Sequence, residues 1–128
     1  MRIREIVESA QAHHYQITGV DPEIGHDAAH LTSKKGTIKA SYHELERYFG
    51  KPTSYTHDQD TAHHWTIEFT YLDPMRSDPD DTDTVVVEIY DRWHHGSPAK
   101  IEEWEVNGKT IEAYWVLMDY LEQQRARK

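Results

Sequence analysis

The chain has 128 residues, with 14 basic and 23 acidic side chains and a formal charge of −9, which fits one domain with one core and argues against direct contact with a phosphate backbone. There is no cysteine, so disulfide staples, thiolate catalysis, Fe–S clusters and Cys-based zinc sites are excluded together. No apolar run reaches the roughly 18 residues a transmembrane helix needs, and the acid-bearing amino-terminal stretch lacks the apolar core of a signal peptide, so a cytoplasmic protein without membrane contact is expected.

In chain order, Ile3, Ile6, Val7 and Ala10 recur at helical spacing and predict an amphipathic helix over residues 2–13. Residues 15–20 read as a short extended piece, closed by the turn signals Asp21, Pro22 and Gly25. Residues 29–34 and 37–40 read as a hairpin around Lys35 and Gly36. Ser41 and Glu44 then form an S-x-x-E capping box ahead of an apolar face of Leu45, Tyr48 and Phe49. Gly50 supplies a left-handed stop and Pro52 forbids continuation, so the helix is predicted over residues 42–49.

Trp65, Ile67, Phe69 and Tyr71 alternate with Thr66, Glu68 and Thr70, the pattern of a strand with one dry and one wet face. A long acidic loop over residues 73–83 follows, carrying Asp78, Asp80, Asp81 and Asp83. The next strand, residues 84–90, places Val85, Val87 and Ile89 on one face and pairs antiparallel with its predecessor. Residues 91–100 read as a loop. A third strand over residues 101–106 ends at a turn signal, Asn107 and Gly108. The last element is a long helix over residues 109–126, with Ile111, Tyr114, Leu117, Met118 and Leu121 as its core face.

The order α, β, β, α, β, β, β, α predicts one α+β domain over residues 1–128, its core spanning residues 29–126. It is an antiparallel β-sheet of four to five strands with helices packed on one face, leaving Thr66, Glu68, Thr70, Glu88 and Tyr90 near a solvated side.

Catalytic motifs are sparse. There is no G-x-S-x-G elbow, no P-loop and no G-x-G-x-x-G, and Ser41 is already explained as a helix cap. His26 and His30 have the i, i+4 spacing of a zinc pair, but Asp27 stands where such motifs carry Glu and Gly25 weakens the helix they need. His63 and His64 precede one strand while His94 and His95 follow its antiparallel neighbour. The two pairs could therefore meet at one sheet edge, with His57, Asp58 and Asp60 from the preceding loop and Arg92 as an anion contact. Adjacent strand residues point to opposite faces, so one histidine of each pair at most can contribute. The acidic loop lacks the glycine and distal glutamate of a calcium hand, and its expected role is an electrostatic contact. Tyr90, Trp93 and Trp115 resist burial by periodicity and fit an interface.

Five spaced pieces, ASYHEL at 40–45, FGKP at 49–52, WTIEF at 65–69, IYD at 89–91 and WEVNGK at 104–109, resemble a pattern found in a group of small bacteriophage and prophage proteins. The similarity covers about residues 36–121, and the loop over residues 73–83 stands as an insertion against the group's tighter hairpin. The resemblance implies a phage accessory protein that occupies a host protein, a component of host defence being the expected type, and implies no catalytic residue. The expectation is a non-enzymatic binding protein with no cofactor, acting through Trp93, Trp115, Tyr90 and the acids Asp78, Asp80, Asp81 and Asp83, with a homodimer as a further form. The alternative is a small-ligand binder or metal-dependent hydrolase using His63, His64, His94, His95 and Arg92.

Overall fold

A computed structural model describes residues 15–24, 32–52, 61–73, 81–92 and 101–127, without the side chains of Thr61, Ala62 and Arg92. The helix expected over residues 2–13 lies outside them, as do His26, His30, His57, Asp58, Asp60, Asp78, Asp80, Trp93, His94 and His95. The elements run β1 (Gln16–Asp21), β2 (Ser33–Lys39), α1 (Tyr42–Phe49), β3 (Thr61–Leu72), β4 (Thr82–Arg92), β5 (Glu103–Gly108) and α2 (Ile111–Ala126). The five strands form one antiparallel sheet in the order β1-β3-β4-β5-β2, and both helices lie on one face, as the α+β reading required. None of the described helices is long and apolar enough to cross a membrane.

The alternation in β3 and β4 sets the register. Trp65 faces Ile89, Ile67 faces Val87 and Phe69 faces Val85, which puts every one of these side chains on the helix side. Ile89 continues the layer to Val106 in β5, and Trp104 carries it to Ile38 in β2. Leu45 and Phe49 of α1, with Val116, Leu117 and Leu121 of α2, close this core. Phe49 stacks on Tyr120 at 5.5 Å and meets Phe69 edge-on at 6.2 Å, so both helices and the sheet share one aromatic junction.

Helix α1 is held at both ends. The Ser41 hydroxyl accepts from the Glu44 N–H at 3.0 Å, and Gly50, at φ +79°, ends the helix with its N–H donating to Glu46 at 2.8 Å. Two buried indoles then clamp the flanking carbonyls: Trp104 Nε1 donates to Ala40 O and Trp65 Nε1 to Gly50 O, each at 2.9 Å. The Glu44 carboxylate receives Arg125 of α2 in a two-point contact at 2.8 and 2.9 Å, and Arg125 also donates to Lys39 O at 2.7 Å.

Three sequence expectations are corrected. Residues 33–39 are one strand, not half of a hairpin: β2 runs straight through Lys35 and Gly36, with a register shift between Lys34 and Gly36. The glycine serves packing, because a Cβ there would sit 2.7 Å from the Tyr114 ring. Asn107 and Gly108 continue β5 and do not turn, and Gly108 leaves room for Ala113, which a Cβ would approach to 2.5 Å. Third, the side of the sheet away from the helices is not solvated at its centre. Thr66 is 0% exposed and Glu88 8%, and Tyr90 is buried. These polar side chains satisfy one another, so alternation with polar residues does not here mean contact with water.

Candidate functional site

Two regions of the described chain hold groups that could act on something else. The first is the polar layer on the far side of the sheet, built from register. His64 in β3 faces Tyr90 in β4, Thr66 faces Glu88, and Glu88 in turn faces Asn107 in β5. His64 is 3% exposed and its Nε2 lies 2.7 Å from Glu88 Oε2. The other Glu88 oxygen accepts from the Thr32 hydroxyl and from the Asn107 amide at 3.5 Å, while the Tyr90 hydroxyl donates to Asn107 Oδ1 at 2.9 Å. Burial by itself pushes the Glu88 pKa up, but the hydrogen bonds from His64 and Thr32, the charge of His64 and the Asn107 amide outweigh it. The net shift is downward, so the carboxylate stays ionised.

The neighbouring histidine behaves differently. His63 lies on the helix side, with its ring 5.5 Å from Tyr42. Asp91 accepts its backbone N–H at 2.7 Å and lies 3.0 Å from its Nδ1. The sequence reading brought His63 and His64 towards one site; the pleat sends them to opposite faces, each to its own carboxylate on β4. Among the described residues no three His, Asp or Glu side chains come together in an arrangement that could hold a metal.

The second region is the outer side of α2. Ile111, Trp115 and Met118 follow at i, i+4 and i+7 and form one ridge. Ile111 and Met118 are each 39% exposed, the large hydrophobic side chains left most open among the described residues, and Trp115 between them is half-buried against the core. Helix α2 is therefore apolar on two sides, one packed on the sheet through Val116, Leu117 and Leu121, the other facing outward. Of the residues expected at an interface, Trp115 lies on this ridge. Tyr90 does not: it is buried in the polar layer with its hydroxyl bonded to Asn107, which corrects the expectation that it was exposed. Asp81 is exposed and Asp83 half-buried at the start of β4.

An acidic corner adjoins the ridge. Tyr15 and Tyr71 meet edge-on at 5.1 Å, and Asp73, Asp83 and Glu112 bring their charge to this pair from the end of β3, the start of β4 and the first turn of α2. Burial first, and then these carboxylates, push both phenols up to about 12. Next to the pair is Asp119, which the sequence reading did not single out. It is 0% exposed, one oxygen accepts the Tyr15 N–H at 3.2 Å, and Oδ1 has no hydrogen-bond partner. Burial raises its pKa to about 7. One turn on, Gln123 Nε2 donates to Tyr15 O at 3.3 Å, so α2 grips both polar groups of one peptide unit ahead of β1. A carboxylate inside the apolar run from Val116 to Leu121 was the signal available for it.

Comparison of the chain with protein-family models, with curated proteins and with solved structures returned no match.

Proposed function

We propose that this chain is a non-enzymatic binding domain whose contact surface is the outer ridge of α2. The observation that carries the reading is the exposure of Ile111 and Met118 on either side of Trp115, on a helix whose other side already supplies the core. At 39% exposure each, Ile111 and Met118 have roughly 140 Å² left to bury between them, about 3–4 kcal/mol at 25 cal/mol per Å². That suits a contact in which Trp115 anchors and the surrounding polar groups select. The buried polar layer supports a binding role from the other direction. His64 and Glu88 hold each other, and His63 and Asp91 do the same on the opposite side, so the described ionisable groups of β3 and β4 are engaged in building the sheet. A phage or mobile-element origin, with a host-defence protein as the target, is the narrower form of this reading and rests on the resemblance alone.

The test compares wild type with the double variant I111S/M118S, both immobilised and exposed to a bacterial lysate. A protein identified on the wild type is then purified and titrated against each. The reading expects the variant to bind it at least ~10-fold more weakly while unfolding at an unchanged urea midpoint. A variant that binds as well as wild type contradicts it.

A further inference from the structure

We propose that the α2 ridge takes a basic amphipathic segment of a partner protein, its apolar side chains on Ile111, Trp115 and Met118 and its Lys or Arg side chains against Asp73, Asp83 and Glu112. The inference rests on the binding role of the ridge and adds the chemistry of what binds there. The chain carries a −9 charge, and its described acids are not spread evenly about the ridge. Glu112 lies on α2 itself, next to Ile111 and one turn before Trp115, and it shares the Tyr15–Tyr71 pair with Asp73 and Asp83. An apolar ridge on the outer side of a helix and a three-carboxylate corner thus join at the amino-terminal half of α2. At the other end, Arg125 is already held by Glu44 and by Lys39 O. The field next to the ridge is therefore negative where the partner's charged end would sit.

Charge decides among the candidate occupants. A nucleic acid would bring phosphates against three carboxylates. A second copy would bring another −9 chain against the first, and the ridge is only four helical turns long at most, too small to offset that repulsion. A segment with 3,4-spaced apolar residues and flanking cations satisfies both halves of the surface at once, with the ridge giving affinity and the corner giving orientation and salt dependence.

The experiment uses the full chain and two labelled peptides of roughly 16 residues with identical 3,4-spaced leucines, one filled with Lys and one with Glu, followed by fluorescence anisotropy at about 0.05 and about 0.3 M salt. The Leu/Lys peptide is expected to bind at least ~10-fold tighter than the Leu/Glu peptide at low salt, and to lose most of that advantage at high salt. The pair D83N/E112Q should remove several-fold of the preference with little effect on the Leu/Glu peptide, and I111S/M118S should weaken the Leu/Lys peptide ~10-fold. Equal binding of the two peptides, with the ridge variant still impaired, overturns the basic partner and leaves the ridge reading standing. Leu/Lys binding that I111S/M118S does not touch overturns both. No measurable binding of the Leu/Lys peptide, or sedimentation showing a dimer whose ridge the peptide cannot enter, also overturns the proposal, the latter in favour of a second copy.

Discussion

Asp119 makes an unusual demand on the fold, and its removal gives a quantitative test of how the start of β1 is attached to α2. The side chain is fully buried, one oxygen bonds the Tyr15 N–H and the other has no partner, and its pKa rises from 3.8 to about 7. The difference, about 7 less 3.8, is about 3 pH units, which at about 1.4 kcal/mol per unit amounts to at most about 4 kcal/mol. The sign follows from which state binds the proton. Between about pH 4 and pH 7 the native carboxyl keeps its proton while the unfolded one has lost it, so the stabilisation is complete below about pH 4 and disappears as the pH rises through about 7. Asp119→Asn preserves the shape and the acceptor for Tyr15 but cannot ionise. Urea unfolding followed by tryptophan fluorescence, repeated from about pH 4 to about pH 8, should therefore show the variant gaining on wild type by roughly 2–4 kcal/mol across that range. Other titrating groups, the histidines included, contribute to both proteins and cancel in the difference. A difference that stays flat to within about 0.5 kcal/mol would refute the reasoning: Asp119 would then ionise without penalty, and the buried latch on Tyr15 would not exist in solution.

Three more outcomes follow from the packing. Trp104→Phe should destabilise by about 1–3 kcal/mol more than the cavity alone, because the buried Ala40 carbonyl loses its donor. Trp65→Phe should cost less, since Gly50 is exposed and water can replace the indole, and denaturant midpoints check the order. Gly36→Ala drives a methyl into a Tyr114 ring that its hydroxyl pins to Thr37 O at 2.8 Å, for an expected loss of about 1–3 kcal/mol by thermal unfolding. Glu88→Ala strands His64 and should cost about 3–5 kcal/mol, whereas replacing both His64 and Glu88 by leucine should cost far less if the pair only builds the sheet. The Glu88 contribution has the opposite pH sign to that of Asp119, being present above about pH 4.5 and lost as the pH falls through its lowered native value.

What was legible in the chain was whatever local chemistry decides. The helix at residues 42–49 was readable to the residue because Ser41 caps it and Gly50 with Pro52 stops it. Strands β3 and β4 were readable because strict alternation survives when one face is apolar. The failures share a cause. Gly36 and Gly108 looked like turn residues, but each is a glycine because α2 comes too close for a side chain, through Tyr114 in one case and Ala113 in the other, and that requirement comes from residues 77 and more positions away or from the next element. Likewise Thr66, Glu88 and Tyr90 looked wet because they are polar. Only the register, which sets Glu88 opposite Thr66 and Asn107, shows that they bond one another. The candidate surface was half visible. Trp115 stood out by its resistance to burial, but Ile111 and Met118 were assigned to the core face, since apolar residues at helical spacing do not reveal which of two stripes meets the sheet.

The measurement closest to the central claim is a titration of the isotopically labelled protein with the Leu/Lys peptide, followed residue by residue by two-dimensional NMR. The account predicts that shifts concentrate at Ile111, Glu112, Met118 and the Trp115 indole and extend to Asp73 and Asp83, while His64, Glu88 and Asn107 stay still. Shifts centred on that buried polar layer, with the α2 ridge unmoved, would contradict it.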